Sequence, residues 1–139
     1  MEKKSKKARI RVENYGDMFA KVLQMDLIVY REYGSYSGSW IAVLKDEDRI
    51  FFYKDYYGSC SGCDWLEAEK DYETDEVDAK SAIQFVGDVK ASYIFPISIA
   101  KSLSEKQIRD MLEQGDLSYD EEGDEVIGGI IKQLSKLKQ

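Results

Sequence analysis

Apolar and aromatic residues cluster three times in the first half of the chain, and each cluster predicts a β-strand. The clusters, at residues 27–33, 40–44 and 50–54, are rich in β-branched and aromatic side chains. The acidic residues 46–48, between the second and third clusters, are typical of a hairpin turn. The pattern therefore predicts a three-stranded antiparallel meander.

Elsewhere in the chain apolar residues are three and four positions apart, which predicts helices before and after the meander in sequence. Ser104 and Gln107 have the spacing of a capping box, which marks the start of one helix. Residues 93–97 favour a further strand, and Pro96 restricts it to an edge or an end of the sheet. The predicted helices cover residues 17–24, 79–89 and 124–138, and one further helix begins after Ser104 and stops at Gly115.

Together these elements predict one α+β domain over residues 12–139, with an antiparallel three- to four-stranded sheet and helices packed on one face. A chain of 139 residues has the usual size of a single domain. Residues 1–11 carry six basic residues and one acid, and we expect a flexible basic tail there.

The charge of the chain limits its partners. The formal net charge is -7, and because the tail is basic the remainder carries about twelve excess negative charges. Such a body repels nucleic-acid phosphates and membrane surfaces, so direct binding to either is not expected. No apolar run reaches the roughly 20 residues that span a bilayer. No apolar h-region follows the basic start, so we do not expect it to be a secretory signal. We therefore expect a cytoplasmic protein.

The absence of histidine removes several kinds of catalytic and metal site. Neither a Ser-His-Asp nor a Cys-His nucleophile system can form, and there is no histidine metal ligand. General acid–base chemistry would need carboxylates, lysine, tyrosine or cysteine, and no constellation of these stands out from the acidic background. We therefore expect a protein that is not an enzyme and holds no cofactor.

A short motif occurs twice, each time at the end of a predicted strand. The first copy reads YGSYSG from Tyr33 and the second reads YGSCSG from Tyr57, and a tryptophan follows each. Tight turns alone account for the glycines and serines. Alternatively, the two loops lie side by side and form one polar surface with an aromatic rim, which suits protein binding. The candidate anchors are Tyr33, Tyr36, Tyr57 and Trp65.

An acidic run follows these loops. Residues 64–78 hold eight carboxylates and one lysine, and such a run is usually a solvated surface. Next to aromatic anchors, the same carboxylates would attract a basic partner and speed its association. The candidate residues of this kind are Asp71, Glu73, Asp75 and Glu76.

Cys60 and Cys63 form a CxxC motif with three interpretations. A tetrahedral zinc site needs four ligands, so one chain cannot close it, but a homodimer that pools two pairs could. Thiols before a helix that begins near residue 64 would favour redox chemistry. However, the preceding strand belongs to a hairpin, and the neighbouring acids oppose thiolate formation. Two reduced thiols in an ordinary turn are the third interpretation.

Residues 27–66 carry the one resemblance to known proteins. The Tyr33 loop, the hairpin and the YGSCSGCD segment from Tyr57 resemble a group of small uncharacterised proteins of phage and other prokaryotic mobile elements. The resemblance implies no activity and no functional residue. It implies a viral or mobile-element origin, with the host cytoplasm as the compartment.

The sequence therefore favours a non-enzymatic acidic module that binds another, basic protein. If the origin is viral, the carboxylates would occlude the basic groove of a host defence or nucleic-acid-handling protein and inhibit it. The alternative is a CxxC protein, either a thiol-redox protein or a zinc protein that bridges a homodimer.

Overall fold

The computed structural model describes residues 8–34, 38–57, 64–112 and 121–138, which form an α+β fold around an antiparallel sheet. In chain order the described elements are β1 (Arg9–Arg11), α1 (Tyr15–Leu23), β2 (Asp26–Gly34), β3 (Gly38–Asp46), β4 (Arg49–Tyr57), α2 (Trp65–Glu69), β5 (Glu76–Asp78), α3 (Ala79–Asp88), β6 (Tyr93–Pro96), α4 (Ile97–Lys101), α5 (Glu105–Leu112) and α6 (Glu121–Ser135).

The central sheet has the strand order β2-β3-β4-β6, with every pairing antiparallel. Asp46 pairs with Arg49, so the β3–β4 hairpin closes through a two-residue turn of Glu47 and Asp48. Glu47 has a φ of 58°, and the primed turns that favour hairpins place their first central residue at positive φ. The predicted meander is confirmed, and Pro96 ends the edge strand β6 as expected.

Helices cover both faces of the sheet, whereas we expected them on one face only. Ile41 and Val43 of β3 pack with α4, α5 and α6, and we call this side the α4–α6 face. Trp40, Ala42 and Leu44 pack with α1, α2 and α3 on the opposite side, the α1–α3 face. Successive side chains of a strand alternate between faces, and β3 is apolar at all five positions from Trp40 to Leu44. Both faces must therefore be shielded from water.

Residues 9–11, which we assigned to the flexible tail, form β1 and pair antiparallel with β5. Ile10 lies opposite Val77, and the backbone N–H of Val12 donates to the carbonyl oxygen of Asp75 at 2.8 Å. Val12 is fully buried. Ile10 and Val12 therefore anchor this segment, although the basic residues around them are typical of a solvated tail.

Polar side chains cap the helices. The predicted capping box is confirmed, because the Gln107 N–H donates to Ser104 Oγ at 3.1 Å and the Ser104 N–H donates to Gln107 Oε1 at 2.8 Å. Asn14 caps α1, since its Oδ1 accepts a hydrogen bond from the Asp17 N–H at 2.7 Å. These caps satisfy backbone N–H groups that a helix start would otherwise leave unpaired.

Two helical glycines provide a test of the packing of α1 on β2. A Cβ at Gly16 would lie 2.7 Å from Tyr30 Cδ1, whereas a Cβ at Gly128 would meet no described atom within 4 Å. We expect Gly16→Ala to lower the free energy of unfolding by about 1–3 kcal/mol through overpacking. Gly128→Ala should raise it by about 0.5–1 kcal/mol, because alanine loses less backbone entropy. Urea unfolding measures both, and a Gly16→Ala variant as stable as Gly128→Ala would contradict this contact.

Candidate functional site

Seven aromatic side chains form a continuous cluster on the α1–α3 face. Tyr15 stacks on Trp40 with ring centroids 5.1 Å apart and an interplanar angle of 7°, and Phe19 packs on Trp40 at 5.1 Å. Tyr15 also contacts Phe85 at 5.9 Å, and Phe85 stacks on Trp65 at 4.6 Å. The cluster thus runs from the sheet to the half-buried rings of α2 and α3. Its members are Tyr15, Phe19, Tyr30, Trp40, Tyr53, Trp65 and Phe85.

At the outer end of this cluster, α2 and α3 border an open groove of about 300 Å³. Trp65 and Phe85 provide its aromatic surface, and Glu69 and Asp88 contribute one exposed carboxylate from each helix. Among the described residues, no lining side chain is basic. This aromatic–acidic groove is the candidate site. Its lining consists of Trp65, Glu69, Ser81, Gln84, Phe85 and Asp88.

The Tyr15 hydroxyl fixes the start of α2 and with it the position of Trp65. It donates to Asp64 Oδ1 at 2.5 Å and accepts a hydrogen bond from the Leu66 N–H at 2.9 Å. Asp64 also caps α2 by accepting from the Glu67 N–H at 3.2 Å, and Leu66 is buried in the core. Trp65 therefore lies between two anchored residues, which hold its ring at the groove even though α2 has only five residues.

The packing of α3 places Phe85 opposite α2. Asp78 caps α3, and its Oδ2 accepts from both the N–H and the hydroxyl of Ser81 at 3.0 Å. Ala82 and Val86 are buried on the α1–α3 face. Phe85 lies beside these two buried residues on α3 and stacks on the indole ring of Trp65. It therefore lines the groove.

Two tyrosine hydroxyls of the aromatic cluster are held in the neutral form. Burial, and then the hydrogen bond to Asp64, raises the pKa of Tyr15 far above its ordinary value of about 10. Burial likewise raises the pKa of Tyr30, whose hydroxyl donates to Glu32 Oε2 at 2.6 Å. Both hydroxyls therefore stay hydrogen-bond donors at neutral pH.

The four predicted aromatic anchors have different environments. Tyr33 is only 3% exposed and packs in the core of the α4–α6 face, because α6 covers β2 there. It offers no surface to a partner, which corrects its assignment as an anchor. Tyr57 is half-buried at the end of β4, and Trp65 lines the groove. Tyr36 lies outside the described residues.

The strand ends that lead into the two repeated motifs meet at one end of the sheet. Gly38 at the start of β3 pairs with Gly34 on one side and with Tyr57 on the other. A Cβ at Gly38 would lie 2.0 Å from the Tyr33 carbonyl oxygen and 3.0 Å from the Tyr57 hydroxyl oxygen, so only glycine permits the close approach of the two strand ends. Cys60 and Cys63 lie outside the described residues.

The four predicted acidic residues divide into two pairs. Asp71 and Glu73 are exposed, whereas Asp75 and Glu76 are partly buried and ion-paired. The basic residues of β1 therefore offset part of the acidic run, and of these four residues Asp71 and Glu73 contribute most of the outward negative charge. The ion pairs are Arg9–Glu76 at 3.4 Å, Arg11–Asp75 at 4.0 Å and Lys70–Asp75 at 3.6 Å.

The sequence predicts Trp65 as a site residue but not its partners in the groove. One signal could have indicated a partner. Phe85 is an aromatic residue on the predicted helix 79–89, but it is not one of the regularly spaced apolar residues that predict the buried side of this helix. Glu69 and Asp88 are not distinguishable from other acids along the chain. Their placement around one groove depends on the packing of α2 beside α3, which periodicity does not encode.

No protein-family model, curated protein or solved structure matches this chain. The resemblance of residues 27–66 to mobile-element proteins stays a prediction. Within the described ranges, no group of three or more Cys, His, Asp or Glu side chains is arranged to hold a metal ion. None of the described helices combines the length and the apolar character needed to cross a membrane.

Because the hydroxyls of Tyr15 and Tyr30 are neutral in the fold, the free energy of unfolding should decrease at alkaline pH. Tyr15 and Tyr30 titrate near pH 10 in the unfolded chain, at about their ordinary pKa, but burial raises both pKa values in the fold. Their contribution to the free energy of unfolding is therefore complete below about pH 10 and falls as pH rises further, because only the unfolded chain releases these protons. Urea unfolding at several alkaline pH values measures the slope. Tyr15→Phe should flatten it, and an unchanged slope would contradict the neutral, buried phenol.

Proposed function

We propose that the chain is a non-enzymatic protein-binding module whose aromatic–acidic groove binds an arginine or lysine side chain from a basic segment of another protein. The observation that supports this most is the stacked pair of Trp65 and Phe85, which lies in one groove with the carboxylates of Glu69 and Asp88. The net charge of -7 also favours a basic partner.

The size of the groove suits one side chain. A volume of about 300 Å³ is at the lower limit for pockets that enclose small molecules. An arginine would stack its planar guanidinium on Trp65 or Phe85 and donate hydrogen bonds to a neighbouring carboxylate. A cation–π contact of this kind contributes roughly 0.5–2 kcal/mol, with the larger values in desolvated sites. Arginine therefore fits the groove better than lysine.

The exposed acids outside the groove would act mainly on the rate of association. Asp71 and Glu73 follow α2 in sequence, and their long-range attraction would steer a basic segment towards the groove. Exposed ion pairs contribute only about 0–1 kcal/mol each. The groove must therefore supply most of the affinity.

Such a module would act by blocking an arginine that its partner uses to bind another molecule. An arginine held in the groove is unavailable to the phosphate or carboxylate that it otherwise binds. A viral or mobile-element origin, as the resemblance of residues 27–66 implies, would make the protein an inhibitor of a basic host protein, such as one that handles nucleic acid.

The proposal can be tested through the tryptophan of the groove. The chain has two tryptophans, and Trp40 is 1% exposed whereas Trp65 is half-buried, so acrylamide should quench mainly Trp65. We expect a short arginine-rich peptide to protect Trp65 from acrylamide. A peptide of equal length with citrulline, the neutral analogue of arginine, should not protect it. Equal protection by both peptides, or protection by neither, would refute cation recognition.

Matched variants can separate the groove carboxylates from the net charge. Glu69→Gln with Asp88→Asn removes two charges from the groove, and Glu13→Gln with Glu125→Gln removes two exposed charges elsewhere. We expect the groove variant to bind the arginine peptide about tenfold more weakly, which corresponds to about 1.4 kcal/mol, with little change in the control. Calorimetric titration measures both affinities. An equal loss in the two variants would mean that net charge alone drives binding.

The two halves of the acidic run should behave differently on neutralisation. Asp71→Asn with Glu73→Gln should slow association with the arginine peptide and reduce its salt dependence, while unfolding stays unchanged. Asp75→Asn with Glu76→Gln should instead remove ion pairs to basic residues and lower the free energy of unfolding by about 0–1 kcal/mol per pair. Stopped-flow association and urea unfolding distinguish these effects. The ion-pair geometry would be contradicted if the Asp71/Glu73 variant lost stability and the Asp75/Glu76 variant only slowed association.

A further inference from the structure

The outer edge of β6 is apolar and accessible. β6 is the last strand of the order β2-β3-β4-β6, and no strand in the described part of the chain pairs with its outer side. Tyr93 and Ile94 on β6 are 38% and 49% exposed, and Ile99 on the adjoining helix α4 is 47% exposed. Tyr93 pairs with Phe52 and Ile94 with Phe51, so these two side chains flank the edge on opposite faces of the sheet. We call these three residues the β6 patch. The outer side of an edge strand presents unpaired backbone groups to another chain, and here apolar side chains flank them.

The β6 patch also lies in a part of the sequence without acidic residues. Residues 89–104 contain no Asp or Glu in a chain that has 27 of them. The basic residues of this stretch are Lys90 and Lys101, and Lys101 donates to the carbonyl oxygen of Leu137. Two copies of a chain with a net charge of -7 repel each other over most of their surface. Residues 89–104 themselves add no negative charge to this repulsion.

We propose that the β6 patch binds the β6 patch of a second copy of this chain, with the two β6 strands antiparallel about a two-fold axis. A two-fold interface uses the same patch on both copies, and it places the start of one β6 beside the end of the other. The two ends of the strand have different neighbours within the chain. At the start, the Ser92 N–H donates to the Phe52 carbonyl oxygen at 2.7 Å, and at the end the Ile97 N–H donates to the Asp48 carbonyl oxygen at 2.9 Å.

The charges at the two ends are complementary across this axis. The exposed Lys90 precedes the start of β6, and the exposed residues Glu47 and Asp48 form the hairpin turn beside its end. Arg49 at the same end lies 3.9 Å from Asp46, and within the described part of the chain neither Glu47 nor Asp48 forms an ion pair. Antiparallel docking brings Lys90 of each copy towards the acidic turn of the other, and the symmetry produces this attraction twice.

The backbone contributes little to the dimer. Pro96 has no N–H group and β6 has only four residues, so few strand-to-strand hydrogen bonds can form. The affinity therefore comes from the apolar side chains of the patch and from the two charge contacts. Because salt screens exposed charges, the dimer should dissociate on dilution and at high ionic strength.

Analytical ultracentrifugation of the full chain over a wide range of concentrations tests the proposal. The sedimentation coefficient should rise from the monomer value to the dimer value as the concentration increases. Ile94→Glu should abolish this rise, whereas Ile83→Glu, an equivalent change at an isoleucine on α3 that is 56% exposed, should leave it intact. A monomer at every concentration, or a dimer that both variants weaken equally, would overturn the proposal.

Charge reversal provides a second test that does not depend on burying a new charge. Lys90→Glu and Asp48→Lys should each weaken the dimer, and the chain that carries both substitutions should regain it, because each copy then presents the reversed pair. Circular dichroism of the single variants, compared with the unmodified chain, shows that they fold. Failure of the double variant to regain the dimer would exclude the antiparallel arrangement about β6.

Discussion

Two neighbouring strands that are apolar on both faces, β3 and β4, impose the main constraint on this molecule. Burial of one large aliphatic or aromatic side chain stabilises a fold by roughly 1.5–3 kcal/mol, so neither face of these strands can stay in water. The chain meets this requirement with two helical layers from different parts of the sequence. α1 to α3 cover the face that contains Trp40, and α4 to α6 cover the face that contains Ile41. The groove between α2 and α3 is the outer surface of the first layer.

The same layer connects the core to the groove through one hydroxyl group. Tyr15 stacks in the interior on Trp40, and its hydroxyl meets both Asp64 and the backbone N–H of Leu66 at the start of α2. A buried N–H without a partner costs about 1–3 kcal/mol, so this contact stabilises α2 as well as orienting it. The aromatic ring of Trp65 is thus held in place by a hydrogen bond inside the layer. The shape of the groove and the stability of the fold therefore depend on the same residues.

Features that depend on residues close in sequence could be predicted, and features that depend on distant residues could not. The meander, the capping box at Ser104 and the edge position of Pro96 arise from alternation, caps and backbone geometry within a few residues. By contrast, Tyr33 is buried because α6 covers β2, and Val12 is buried next to a strand from the middle of the chain. For the candidate site, Trp65 follows from composition and position. Its partners follow only from the packing of one helix on another.

The pairing of the short strand β1 with β5 determines how much of the negative charge of the acidic run is neutralised. β1 has three residues, and Arg9 reaches a residue 67 positions away in sequence to pair with Glu76. Short terminal elements held by few backbone hydrogen bonds and exposed ion pairs open more often than the whole domain unfolds. Each opening withdraws Arg9 from Glu76 and Arg11 from Asp75, which leaves Lys70 as the ion-pair partner of Asp75. The negative field on this side of the protein is therefore an average over docked and undocked states of β1, and ionic strength shifts that average.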